Sequence, residues 1–292
     1  MAIATVVDLV QGSPRRPVSA TGRMALADHL RELRARMIRS ALFLVVTFAV
    51  ALYFFDPLLD LALAPYNQAR GLVGADTQTT AYVAGATGPL LLHLKLCGVA
   101  AVMASSPYWL YQVWAFVVPG LLPRERRWSR VFAAIAGPLF IGGVVLGYYV
   151  LPKGLEVLIG FTPDGLENLV EFGDYFSFLS RMLLVFGLAV ELPFFLVLLN
   201  LAGVVTGAQL GRHRSLIFLG TVVFAAIATP STDPFSMLML AAPMVVLFGL
   251  AEVVARLIDR TRARRAAARP GARADDPAAD ATGDPTDDLV DA

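Results

Sequence analysis

The chain has 292 residues, 57% of them apolar and only 16% charged, with a formal net charge of +1. Soluble domains carry roughly a quarter of charged residues, so this composition excludes an ordinary water-soluble globule and predicts an all-α polytopic membrane protein. The lone cysteine, Cys97, rules out an intramolecular disulfide, and His29, His93 and His213 are too scattered to form a metal cluster, so no cofactor is expected.

Residues 1–23 are polar and contain Pro and Gly, the composition of a disordered segment. From Met24 to Met37 the steps of four, three and four between Leu26, Leu30, Leu33 and Met37 form one apolar stripe of a helix, expected to lie along the membrane surface. Its polar face carries Asp28, Glu32 and Arg36. Glu32 is read either as an i to i+4 partner of Arg36 or as a carboxylate offered to a cationic ligand.

Six apolar stretches follow, at about 38–55, 90–118, 130–151, 175–203, 215–229 and 235–255, each allowing a transmembrane helix. The basic residues sort their ends. The segment to Arg39, the loops 119–130 and 204–214, and the tail from Arg256 together hold twenty of the 24 Lys and Arg residues. By the positive-inside rule both termini are cytoplasmic. Arg70, Lys95, Lys153 and Arg181 remain for the outer side or for span ends, with Lys95 and Arg181 snorkelling outward.

The outer loops 56–89 and 152–174 carry Pro57, Pro65, Gly71, Gly74 and Pro163, turn chemistry suited to a small structured cap. The last two helices are read as short; the fifth has about 15 apolar residues, roughly 22 Å against roughly 30 Å of hydrocarbon. Their hairpin, closed by Thr229 to Pro234, is expected to form a concave wall. The organisation is therefore a disordered segment at 1–23, a six-helix domain at 24–258 and a disordered tail at 259–292.

Within the second stretch, Tyr108, Trp109, Tyr111, Trp114 and Phe116 run into Pro119, Pro123 and then Arg124, Glu125, Arg126 and Arg127, the layout of a helix leaving a bilayer on its cytoplasmic side. Glu125, held charged by neighbouring arginines, has two readings: a site for a cationic partner, or an acid in the first turn of a helix begun by Pro123, where it complements the dipole. Glu191 lies deep in the fourth span before Pro193. An ionisable group at that depth is a functional candidate, the alternative being a protonated acid that satisfies the proline kink. Gly143 and Gly147 have the spacing of close helix packing, read as internal rather than dimeric. Asp233 is either a turn former or an interaction residue.

No enzymatic constellation emerges: H-E-x-x-H and G-x-S-x-G are both absent, and no second intramembrane acid partners Glu191. A secondary transporter using Glu191 is the alternative of another class, but the hydropathy shows no repeated halves.

Three separated motifs then carry a family resemblance over about residues 24–258. His29-Leu30-Arg31-Glu32-Leu33-Arg34 is similar to the amino-terminal signature of the TatC family of the twin-arginine protein translocase. Tyr111-Gln112-Val113-Trp114-Ala115-Phe116 with Glu125-Arg126-Arg127 resembles its first cytoplasmic loop, and Glu191-Leu192-Pro193 its fourth helix. Thr229-Pro230 with Asp233-Pro234-Phe235-Ser236 is similar to its last outer turn, and Ala64-Pro65 to a turn in its first outer loop. The resemblance implies a non-enzymatic core subunit of the bacterial cytoplasmic membrane that binds twin-arginine signal peptides of folded proteins and nucleates their export. It implies signal-peptide binding by Glu32, Arg34, Gln112, Trp114, Phe116 and Glu125, and partner contacts at Glu191, Pro193 and Asp233. The partners it implies are single-span TatA- and TatB-type subunits, the lipid bilayer and further copies of the chain, with no nucleic acid.

The charge distribution predicts that cysteines placed at Arg124 or Arg212 react with a membrane-impermeant thiol reagent only after cells are opened; labelling in intact cells would reverse the orientation.

Overall fold

The computed structural model describes residues 26–72, 79–121, 126–163, 166, 168–229 and 233–267, and these are almost wholly helical. In chain order the elements are α1 (Leu26–Tyr53), α2 (Phe55–Leu72), β1 (Thr79–Tyr82), α3 (Gly88–Ala104), α4 (Ser106–Leu121) and α5 (Arg126–Gly160). They continue with β2 (Asn168–Glu171), α6 (Phe172–Leu201), α7 (Gly207–Arg212), α8 (Arg214–Ala228) and α9 (Pro234–Ala267). Among the described residues, Leu30–Tyr53, Ala133–Gly160, Phe172–Leu201 and Pro234–Arg265 are each long and apolar enough to cross a bilayer. The pair α3 and α4 makes a fifth, bent crossing, and the apolar α8, 15 residues long, a sixth.

Several elements differ from the sequence expectation. The amphipathic stretch expected along the membrane surface is instead the first turns of α1, because nothing between Arg36 and Phe43 breaks the helix and it runs unbroken into the span. The first half of the outer loop 56–89 is helix α2, with Pro65 inside it. The brevity expected of the last two helices holds for α8, whereas α9 has 34 residues. Its charged residues after Leu257 continue the helix, so residues 259–267, assigned to a disordered tail, are helical.

The expected 90–118 helix is bent by 53° at Ser105. Pro107 supplies no amide to the preceding turn, and at the bend the Val102 carbonyl accepts the Trp109 indole N–H at 3.1 Å and the Ser105 hydroxyl at 3.2 Å. Ser105 and Ser106 are buried in the bend. Gly137 of α5 makes room for it, since a β-carbon there would run into the Pro107 backbone.

A second proline is handled in the same way. Pro65 leaves the Leu61 carbonyl without its helical amide, and the Tyr148 hydroxyl of α5 donates to that carbonyl at 2.9 Å. The Tyr175 hydroxyl of α6 donates to the Ala62 carbonyl, also at 2.9 Å. Helix α2 is thereby fastened to both long spans. The Tyr66 and Thr79 hydroxyls, 2.9 Å apart, tie it to β1, which pairs in parallel with β2 from Thr79 opposite Asn168 to Tyr82 opposite Glu171. These elements form the cap that the loop composition predicted.

Helices α5 and α6 meet through their glycines. A β-carbon on Gly143 would lie 2.6 Å from the Phe186 carbonyl oxygen, one on Gly147 2.8 Å from the Phe186 ring, and one on Gly187 2.6 Å from the Phe140 ring. Phe140 and Phe186 are accordingly buried, and the 143/147 spacing serves internal packing. Gly143→Ala, which sets a methyl against backbone rather than a movable side chain, is expected to cost about 1–3 kcal/mol, read as a lowered unfolding temperature in detergent. Unchanged stability would show that the contact is loose.

Candidate functional site

Of the predicted site residues, Glu32 on α1 and Gln112, Trp114 and Phe116 on α4 lie close together, and Trp114 reaches on to the side of α6 that carries Glu191. On α1, Glu32 and Arg36 lie one turn apart, as the sequence spacing requires. Arg36 donates from Nε at 3.0 Å and from Nη2 at 2.6 Å to the same oxygen of Glu32, Oε1. Its Nη1 reaches the Gln112 side-chain oxygen of α4 at 3.2 Å. The arginine therefore does more than pair along its own helix: it ties α1 to α4. The Glu32 side chain remains 39% exposed, and a carboxylate bonded through one oxygen retains acceptor capacity on the other. Arg34 points away from this cluster and is exposed.

Helix α4 works through two faces. Gln112, 8% exposed, faces α1. Trp114, two residues on and so nearly opposite, packs against α6, with its ring 5.2 Å from that of Phe195 and beside Phe194 and Leu198. Phe116, in the next turn, is half-buried. Glu191 lies on the same side of α6 and has the Trp114 indole as polar neighbour. It is 4% exposed, and neither carboxyl oxygen completes a hydrogen bond of good geometry among the described residues. Pro193, also buried, removes the amide that would pair with the Ala189 carbonyl.

Glu125 lies outside the described residues. Asp233 accepts the backbone N–H of Ser236 at 2.7 Å, capping α9 with Pro234 in the first helical position. That is the turn-forming role weighed for it. Lys95 and Arg181 are exposed, as snorkelling side chains would be.

The sequence reading missed a polar cluster at the same end of the bundle. Glu252 of α9, 6% exposed, receives both Nε and Nη2 of Arg214 at 2.8 Å and Arg256 at 2.6 Å. Asn200, fully buried at the end of α6, donates to Asp259 at 2.9 Å, and Asp259 also accepts the Gly207 amide at 2.7 Å. Arg262 returns to the Asn200 and Leu201 carbonyls, satisfying the end of α6 just before Gly203 turns the chain at φ +76°. The signal was present as the helical spacing of Glu252, Arg256 and Asp259. It was obscured because Arg256 onward reads by composition as a basic tail.

Comparison with known proteins follows the same lines. The family model described as "TatC: Sec-independent protein translocase protein (TatC)" matches residues 28–243. The Sec-independent protein translocase protein TatC of Frankia casuarinae is 40% identical over 250 residues, covering 83% of this chain and 68% of that one. Its counterpart in Xylanimonas cellulosilytica is 41% identical over 242 residues, covering 83% of this chain and 87% of that one. The crystal structure titled "Twin Arginine Translocase Receptor- TatC" superposes with a TM-score of 0.65 at 28% identity, covering 80% of this chain and 100% of that one.

Proposed function

This chain belongs to the TatC family of Sec-independent protein translocase proteins, and on that basis we propose that it is the receptor for twin-arginine signal peptides of folded export substrates. It is a multi-pass membrane protein and a core subunit of the Tat translocase, working in a complex with other Tat components and not as an enzyme. In our reading it sits in the bacterial cytoplasmic membrane with both termini on the cytoplasmic side, a reading supported by the distribution of Lys and Arg. The residues around 24–258 form the translocase domain.

The observation that carries the proposal is Glu32: a half-exposed carboxylate fixed at the end of the bundle by Arg36 and linked through it to Gln112. A guanidinium presents planar paired donors that match a carboxylate, and two separated acids read a pair of arginines where one acid cannot. By the family resemblance Glu125 is the second acid, and Arg34, Gln112, Trp114 and Phe116 contribute to the same peptide-binding site. Glu191, with Pro193, provides the membrane-embedded polar contact for a TatA- or TatB-type single-span helix, and Asp233 supports the last hairpin. Self-association of the chain within the complex belongs to the same reading.

Peptide binding to membranes bearing Glu32→Lys or Glu125→Lys tests the receptor. Each reversal is expected to cost roughly 1.5–3 kcal/mol, about a tenfold to hundredfold loss of affinity for a twin-arginine peptide, with helicity and expression unchanged. Full affinity in both single variants would remove the two acids from the site.

For Glu191 the comparison is between Gln and Leu. Glu191→Gln retains hydrogen bonding and is expected to keep most partner association and export, whereas Glu191→Leu weakens co-purification of the single-span subunits. Complete loss of export in both variants would argue for a titrating acid instead.

A further inference from the structure

Beyond Leu257 the last helix leaves the apolar sequence without leaving its own geometry. Val246, Leu250, Val253 and Leu257, 62%, 56%, 54% and 53% exposed, follow one another at steps of four, three and four. They form the stripe of α9 turned away from the other spans. Steps of three and four carry that stripe on to Arg260 and Arg264, both exposed and neither paired with a described residue. At the α-helical rise Arg260 lies about 4.5 Å and Arg264 about 10 Å past Leu257, in the range where a bilayer gives way from hydrocarbon to headgroups.

The opposite face of this extension is fixed. Ala251 and Ala255 are buried, Glu252 is held by Arg214, and Asp259 and Arg262 grip the end of α6. The helix therefore cannot roll about its axis to bring Arg260 and Arg264 inward. Their guanidinium groups stay in line with the exposed apolar side chains on the outside of the bundle.

We propose that this stripe is a binding site for an anionic phospholipid, its acyl chains along Val246, Leu250, Val253 and Leu257 and its phosphate on Arg260 and Arg264. The planar fork of arginine matches a phosphate with two parallel hydrogen bonds, and basic residues next to a span attract an anionic leaflet. The other candidate occupant is the chain's own 268–292 segment, which has seven aspartates against two arginines. The membrane is favoured because the arginines continue a lipid-facing apolar stripe, and an acidic peptide provides nothing to cover its apolar part.

The test uses the full chain in phosphatidylcholine nanodiscs doped with photoactivatable phosphatidylglycerol or, separately, photoactivatable phosphatidylcholine. Adducts on residues 246–265 are quantified by mass spectrometry. Labelling is expected to favour phosphatidylglycerol, to weaken with salt and to survive excess soluble glycerol phosphate. Arg260→Gln or Arg264→Gln should each reduce that preference about fivefold, and the pair about 25-fold, with Lys at both positions retaining much of it. Both positions are exposed, so an unchanged unfolding temperature accompanies the loss. Equal labelling by the two lipids, or a preference that persists in the double Gln variant, would overturn the proposal. So would a preference that emerges only after residues 268–292 are removed, since the acidic segment would then be the occupant.

Discussion

A carbonyl freed inside a bilayer has no water to turn to, and the broken helices of this protein are arranged around that constraint. Pro107 interrupts the second crossing, and at the bend the Val102 carbonyl accepts both the Trp109 indole and the Ser105 hydroxyl. Gly137 gives the bend its place against α5. The bend also has a consequence at a distance. By turning α4 through 53° from α3 it sets one face of α4 against α1 and the other against α6. Pro65 and Tyr148 repeat the arrangement in α2, with a tyrosine from a neighbouring span in place of the missing amide.

The functional end of the bundle inherits its geometry from that bend. Gln112 and Trp114 are two residues apart and serve different partners, so a single short helix end connects the Glu32 cluster to the surroundings of Glu191. The two acids are held very differently. Glu32 is half-exposed and ion-paired, a state costing little and leaving it accessible, since surface pairs contribute only about 0–1 kcal/mol. Glu191 is buried with the Trp114 indole as its polar neighbour, and a carboxyl at that depth carries a desolvation cost that an apolar residue would not. The proposed role, a receptor for a cationic segment that also holds a membrane-spanning partner, would use one acid of each kind.

The same end is stiffened by charge. Arg214, Glu252, Arg256, Asn200, Asp259 and Arg262 join α6, α7, α8 and α9 where the short α8 alone makes a weak span. Its 15 residues, roughly 22 Å of helix, fall short of the hydrocarbon thickness, so fixing the hairpin at this end determines where the mismatch is borne. The extension of α9 is rigid for the same reason, with one face committed to the bundle and the other to its surroundings.

The sequence by itself determined the class of protein and its crossings, because a stretch of some twenty apolar residues has few alternatives to a transmembrane helix, and the motif residues around Glu32, Gln112 and Glu191 were legible as family signatures. It also indicated the glycine contact at 143 and 147 and the short α8, since both depend on local spacing or length. The tertiary structure alone decided which partner each polar side chain takes. Arg36 was visible as a neighbour of Glu32 but not as a bridge to Gln112, 76 positions away. Tyr148 could not be assigned to the Leu61 carbonyl, nor Arg262 to the end of α6, until the helices were packed. Hydrophobicity is an additive property of the chain and can be read along it. Hydrogen bonds are directional and short, and inside a membrane they are made wherever packing brings a donor to an unsatisfied acceptor.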